Sequence, residues 1–256
     1  MASNINSPAE MVEINRNLSV SKTSNATVKT LMMGLLAGMF IAIGGAASSL
    51  VSMLGDGMSP LAVKLLGSAI FTIGIVSVLV AGAELFTGNI LISIGLYSKD
   101  ITGKQVLVNW CKVWVFNLIG SIFFAWLMTA SKVFPENALD YFQNLATKKA
   151  SLDLGTAFFR GVLCNILVCL SVWTAAAGKD GISKFFLSAF PVFIFVFLGF
   201  EHCVANMYYF PQAIFLGANV SMGAVISRLL IVTLGNIVGG LIIATPYYIT
   251  YEKKRN

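Results

Sequence analysis

Apolar positions along the chain are gathered into long blocks, at about 30–54, 61–83, 105–131, 156–177, 185–200 continued by 207–218, and 229–251. Each approaches the ~20 residues an α-helix needs to cross a hydrocarbon core. The pattern predicts an all-α membrane protein with six spanning helices over residues 30–251. A segment at 1–29 precedes them and a basic tail at 252–256 follows. Polar residues interrupt two of the blocks, as ELFTGN at 84–89 and EHCVAN at 201–206, so the second and fifth spans are expected to be broken.

The ends carry their own signals. Ser7, Pro8 and Glu10 form a capping box with proline at the first helical position, and Met11, Val12, Ile14 and Leu18 follow at helical spacing. They predict a short interfacial helix. The polar stretch before residue 30 does not have the form of a cleavable signal peptide, so the first block is expected to stay in the mature protein. At the other end Tyr247, Tyr248 and Tyr251 run into EKKR, an aromatic belt followed by basic anchors.

An even number of spans puts both ends on one side. Lys and Arg near the membrane favour the cytoplasm. With the ends inside, Arg16, Lys22, Lys29, Lys99, Lys104, Lys179, Lys184, Lys253, Lys254 and Arg255 face the cytoplasm, against Lys64, Lys132, Lys148 and Lys149 outside. Both termini are therefore expected in the cytoplasm. Hydrophobic residues make up 57% of the chain and charged residues 11%, more apolar surface than one soluble core can hide. The net charge of +6 is spread over loops and ends with no basic stripe, which argues against a nucleic-acid partner. Cys111, Cys164, Cys169 and Cys203 lie in apolar blocks without CxxC spacing, and the chain has one histidine, so no metal, disulfide or cofactor is expected.

The two interruptions look like copies of one another. Glu84 and Asn89 recur as Glu201 and Asn206, 117 positions on, and Asn117 and Asn236, each followed three residues later by glycine, echo at 119. Three spans per copy makes this an inverted repeat, with halves at about 30–131 and 152–251 and the broken helices meeting near the midplane. Glu84 and Glu201 read as braces that accept peptide N–H groups freed by the breaks, or as proton relays. Asn89 and Asn206 are expected to clasp the opposing broken segment.

His202 reads as a satisfied core residue or, because it sits in the break, as a functional group. Thr87, in the matching break, supplies either a hydroxyl to the same ligand or a turn hydrogen bond. Half-helix N-termini at the breaks favour an anion. Lys148 and Lys149 would draw anions into an outer vestibule or anchor the chain at the interface. An enzyme needs a catalytic pair, and His202 has no nucleophile partner beyond the adjoining Cys203, so catalysis is not expected.

Together AELFTGN, FFRGVLCNILVCLSVW and GFEHCVANM resemble the formate/nitrite transporter family across residues 30–251, most closely its hydrosulfide channel branch. The resemblance implies an aquaporin-like fold and a homopentamer with one pore per protomer, in the cell inner (cytoplasmic) membrane. It implies that Thr87 and His202 face each other across the pore and that Lys149, with Lys148 beside it, is the outer-loop lysine. Asn165, Glu201 and Asn206 then belong to a polar support network, which the repeat extends to Glu84 and Asn89. Phe71 and Phe195 would form an outer apolar constriction, and Ile75 with Phe86 an inner one, with Ile75 where the family usually has leucine. The implied activity is a channel for small monovalent anions, with hydrosulfide first and formate and nitrite as further permeants; the alternative is a proton-coupled transporter.

Overall fold

The computed structural model describes residues 5–252 of the chain, and the basic tail residues Lys253, Lys254 and Arg255 lie outside them. Helix α1 (Pro8–Ser24) opens with the expected capping box. Ser7 N–H donates to Glu10 Oε2 at 2.6 Å, and Ser7 Oγ accepts from Glu10 N–H at 3.4 Å. Its packed face differs from the apolar stripe read in the sequence: Met11 and Val12 are buried, but so are Asn15, Arg16 and Ser19, while Leu18 is exposed. Polar contacts as well as apolar ones seat this helix.

The first span is α2 (Thr27–Leu54). The second comprises α3 (Pro60–Phe71), α4 (Ile73–Val76) and a π-helical turn at Ser77–Gly82. The chain then extends through the break and re-enters as a 3-10 turn, Gly88–Ile92, continued by α5 (Ser93–Tyr97). The third span is α6 (Gly103–Ser131). Helix α7 (Ala138–Ala150) joins the halves; the hydropathy pattern missed it because only Ala138, Phe142 and Ala146, at successive turns, are buried. The second half follows as α8 (Leu154–Ala177), α9 (Gly181–Leu198), a break, α10 (Cys203–Phe215) and α11 (Met222–Tyr251). Among the described residues, six helices are long and apolar enough to cross a membrane. Their bounds fall within four residues of those read from the sequence, except that the sixth starts at Met222 and not at 229.

The inverted repeat is visible in the packing. Helix α2 lies along α6, and α8 along α11. Both pairs approach backbone to backbone: a Cβ on Gly38 would stand 2.2 Å from Asn117 O, and one on Gly239 would stand 2.2 Å from Val162 O. Small residues allow this contact, and van der Waals packing then replaces the hydrophobic drive that lipid cannot supply. The close approach also delivers Asn117 on α6 and Asn236 on α11 into the two breaks.

Candidate functional site

A helix break inside the membrane leaves peptide groups that no water can satisfy. Two asparagines meet that need here, in matched fashion. Asn117 Nδ2 donates to Glu84 O and Gly34 O, both at 2.9 Å, while its Oδ1 accepts Phe86 N–H at 2.8 Å. Asn236 Nδ2 donates to Glu201 O at 3.0 Å and Gly161 O at 2.8 Å, and its Oδ1 accepts Cys203 N–H at 2.9 Å. Glu84 N–H reaches Met33 O on α2, and Glu201 N–H reaches Arg160 O on α8.

Since these side chains and carbonyls serve the freed backbone, the acids do something other than expected. Glu84 Oε2 accepts from Asn89 Nδ2 at 2.8 Å and Asn109 Nδ2 at 3.3 Å, and Oε1 accepts from Asn25 Nδ2 at 3.0 Å. Glu201 accepts Lys149 Nζ on both oxygens at 2.9 Å and Asn206 Nδ2 at 2.8 Å. Among the described residues their partners are side-chain amides and an ammonium, not peptide N–H groups. Asn89 and Asn206 likewise bond to the glutamate of their own half instead of clasping the opposing segment. The reason is local: five residues separate each pair, so the extended break brings carboxylate and amide together within one half.

One residue of this network went unread in the sequence. Lys22 Nζ donates to Asn89 Oδ1. It stands 127 positions before Lys149, the spacing that also separates Gly34 from Gly161, so the two lysines are repeat mates. Lys22 precedes the first span on α1, where hydropathy registers only a cytoplasmic charge; the offsets of 117 and 119 do not join it to Lys149, and the spacing of 127 emerges only from the matched contacts at Gly34 O and Gly161 O. Burial pulls its ammonium below the ordinary lysine range, against a smaller opposing pull from Glu84. Helix α1 is tied down further along. Arg16 Nε and an Nη bond Asp100 at 2.7 and 3.0 Å, which lifts the guanidinium above its usual range, and Asn6 N–H reaches Ala177 O at 2.9 Å.

The two breaks meet at one point. Thr87 Oγ1 lies 2.8 Å from His202 Nε2, and both side chains are buried. Asn165 Nδ2 on α8 donates to Thr87 O at 3.2 Å and to Asn236 O at 2.6 Å, linking the first break to the second half. The His202 ring stacks on Phe195 at 5.7 Å between centroids, and Phe195 meets Phe71 edge to face at 5.8 Å. Phe71, Ile75, Leu85, Phe195 and His202 line an apolar chamber with no room for a water molecule. Ile75 therefore sits with the aromatic pair, while Phe86, also buried, is not among the residues lining that chamber.

Above the aromatic pair lies a cavity of about 570 Å³ that reaches His202. Lys64, Lys148, Lys149 and Arg160 border it, and its one carboxylate among the described residues, Glu201, is held by Lys149. Lys149 is the lysine that reaches inward; Lys148 borders the same cavity. Among the described residues no cluster of His, Cys, Asp or Glu has the form of a metal site.

Two broken helices from inverted halves, meeting at a buried polar pair beneath a cationic vestibule, define a multi-pass membrane transport protein. The formate/nitrite transporter family matches residues 9–250. The chain is 38% identical to a probable formate transporter of Methanothermobacter thermautotrophicus, over 99% of this chain and 100% of that one. It is 31% identical to the formate channel FocA of Escherichia coli (strain K12), over 97% and 95% of the two chains. Among solved structures, a pentameric formate channel with formate bound aligns at a TM-score of 0.78 and 31% identity, over 88% of this chain and 98% of that one. An FNT family ion channel aligns at 0.84 and 27% identity, over 94% and 98%. The chain belongs to the formate/nitrite transporter family, a family of transport proteins rather than enzymes.

Proposed function

We propose that the chain conducts small monovalent anions through each protomer, with hydrosulfide, formate and nitrite as permeants. The reading rests on one observation: the Thr87–His202 pair, contributed by both halves, lies beside the Phe71–Phe195 contact, where a vestibule bordered by Lys64, Lys148, Lys149 and Arg160 reaches His202. Cations concentrate anions at the entrance, the aromatic pair demands that an entering ion shed water, and the polar pair restores hydrogen bonding behind it. Small conjugate bases of weak acids suit such a path because their hydration is less costly to strip than that of multivalent ions. The formate relatives support formate among the permeants; the motif resemblance supports hydrosulfide.

The same reading takes the assembly to be a homopentamer, in line with the pentameric relative, in the cytoplasmic membrane with both termini inside, in line with the lysine and arginine bias. Liposomes reconstituted with the purified protein, loaded in turn with hydrosulfide, formate, nitrite and chloride, test it. Flux of the weak-acid anions well above protein-free liposomes and above that of chloride is expected. Equal flux with and without protein would overturn the reading, and accumulation of formate against its gradient under an imposed pH difference would replace the channel by proton-coupled transport.

A further inference from the structure

The breaks do more than bring Thr87 and His202 together; they fix where the protons sit. His202 is the N-cap of α10, and Ala205 N–H donates to its Nδ1 at 3.1 Å. A peptide N–H only donates, so Nδ1 presents a lone pair and carries no proton. A neutral imidazole has one protonated nitrogen, which leaves the proton on Nε2. Nε2 is the atom 2.8 Å from Thr87 Oγ1, so the ring N–H donates and the threonine oxygen accepts. Thr87 Oγ1 makes its one hydrogen bond among the described residues to His202, so its own O–H proton is not committed to the ring.

We propose that the hydroxyl of Thr87 is the donor that meets the permeating anion, and that His202 is a neutral positioning residue whose Nε2–H tautomer, fixed by the Ala205 amide, orients and polarises that hydroxyl. The inference rests on the anion-conducting reading and assigns the roles within its central pair. Accepting a hydrogen bond at oxygen strengthens the donor capacity of the same hydroxyl, as in other hydrogen-bond chains in low dielectric.

Protonation of the ring would have to occur at Nδ1, where the Ala205 N–H already points. Two donors would then face each other and the first turn of α10 would lose its cap. The charged and titratable groups around the ring offer no compensation. Glu201, next to it in sequence, is held by Lys149 of α7 and by Asn206. Lys64 of α3, Lys148 of α7 and Arg160 of α8 border the same cavity, Cys203 follows on α10, and Cys169 of α8 lies against Thr87 O. Nor does the pair deliver a proton. If Nε2–H were given to the anion, Nε2 would have to take the Thr87 proton and leave an alkoxide, with no further donor at hand to close the balance.

The chain has a single histidine, so 15N-histidine labelling of the protein in bilayers gives one imidazole to read. A pyridine-like Nδ1 and a pyrrole-like Nε2 are expected from about pH 8 to about pH 5, the range in which an ordinary imidazole titrates. Pyrrole-like signals at both nitrogens in that range, or a proton on Nδ1, would overturn the inference. In flux measurements Thr87→Ser should stay within a few-fold of wild type, and Thr87→Val should fall by about 10- to 100-fold, the worth of a hydrogen bond to a charged group. Wild-type flux in Thr87→Val would also overturn it. Ala205→Pro, which removes a first-turn N–H that has no intrahelical acceptor, should release the tautomer and bring an imidazolium signal and pH-dependent flux together; an unchanged spectrum would count against the lock. A conducting wild type with an imidazolium spectrum removes this inference alone, whereas absence of wild-type flux removes the channel reading and the inference with it.

Discussion

At the scale of single residues, the buried charges of the two halves are balanced differently. In the second half Lys149 pairs directly with Glu201, their side chains 13% and 6% exposed; in the first half Lys22 bonds Asn89, and three amides hold Glu84. Removing one member of a buried pair leaves the other uncompensated, at a cost of about 3–5 kcal/mol. Lys149→Ala should therefore destabilise the protein by that order, and adding Glu201→Gln should recover most of it, measured by denaturation in detergent as a double-mutant cycle. Additive losses would show that the pair is not the unit. Part of this network was legible in the sequence: Glu84, Asn89, Glu201 and Asn206 announce themselves as polar letters in apolar blocks. Their partners did not, because Lys22, Asn25 and Asn109 lie in other elements and only folding brings them to Glu84 and Asn89.

Elements show the same division between what a pattern carries and what contact carries. The spans were readable because length and hydropathy are local properties, and α1 because its capping box is. Helix α7 was not, since its buried stripe is three residues wide and its remainder polar. The helix ends give a pH prediction. Asp180 caps α9 by accepting from Ser183, first its side chain and then its backbone N–H, and these bonds hold the carboxyl below the usual carboxylate range. A carboxyl depressed on folding stabilises fully above the ordinary aspartate range and loses that contribution as pH falls from there through its lowered folded value. The first turn of α9 should thus exchange its amides faster on acidification, and Asp180→Asn should remove the dependence; the same acid response in that variant would speak against it. Where the helices touch, Gly38→Ala and Gly239→Ala each force a Cβ to 2.2 Å from a backbone oxygen. Overpacking of that kind costs about 1–3 kcal/mol, seen as a lower unfolding midpoint, whereas Gly181→Ala meets nothing within 4 Å and should be near neutral.

The whole molecule is two three-span halves, related by inversion, whose interrupted helices supply one side chain each to a common centre. The repeat spacing made that symmetry legible, but not that His202 Nε2 would lie within hydrogen-bonding distance of Thr87, nor that Ile75 would line one chamber with the aromatic pair. Those are facts of packing between segments more than a hundred residues apart. Helix α1 is bonded to the first half through Asp100 and Asn89, and Asn6, just ahead of it, is bonded to Ala177 of the second. The account stands on the claim that anions pass through the shared centre. Formate flux into liposomes carrying the double variant Thr87→Val/His202→Phe, with its assembly checked by size-exclusion chromatography, tests that claim most directly. Flux should drop to the level of protein-free liposomes; wild-type flux through a correctly assembled variant would contradict it.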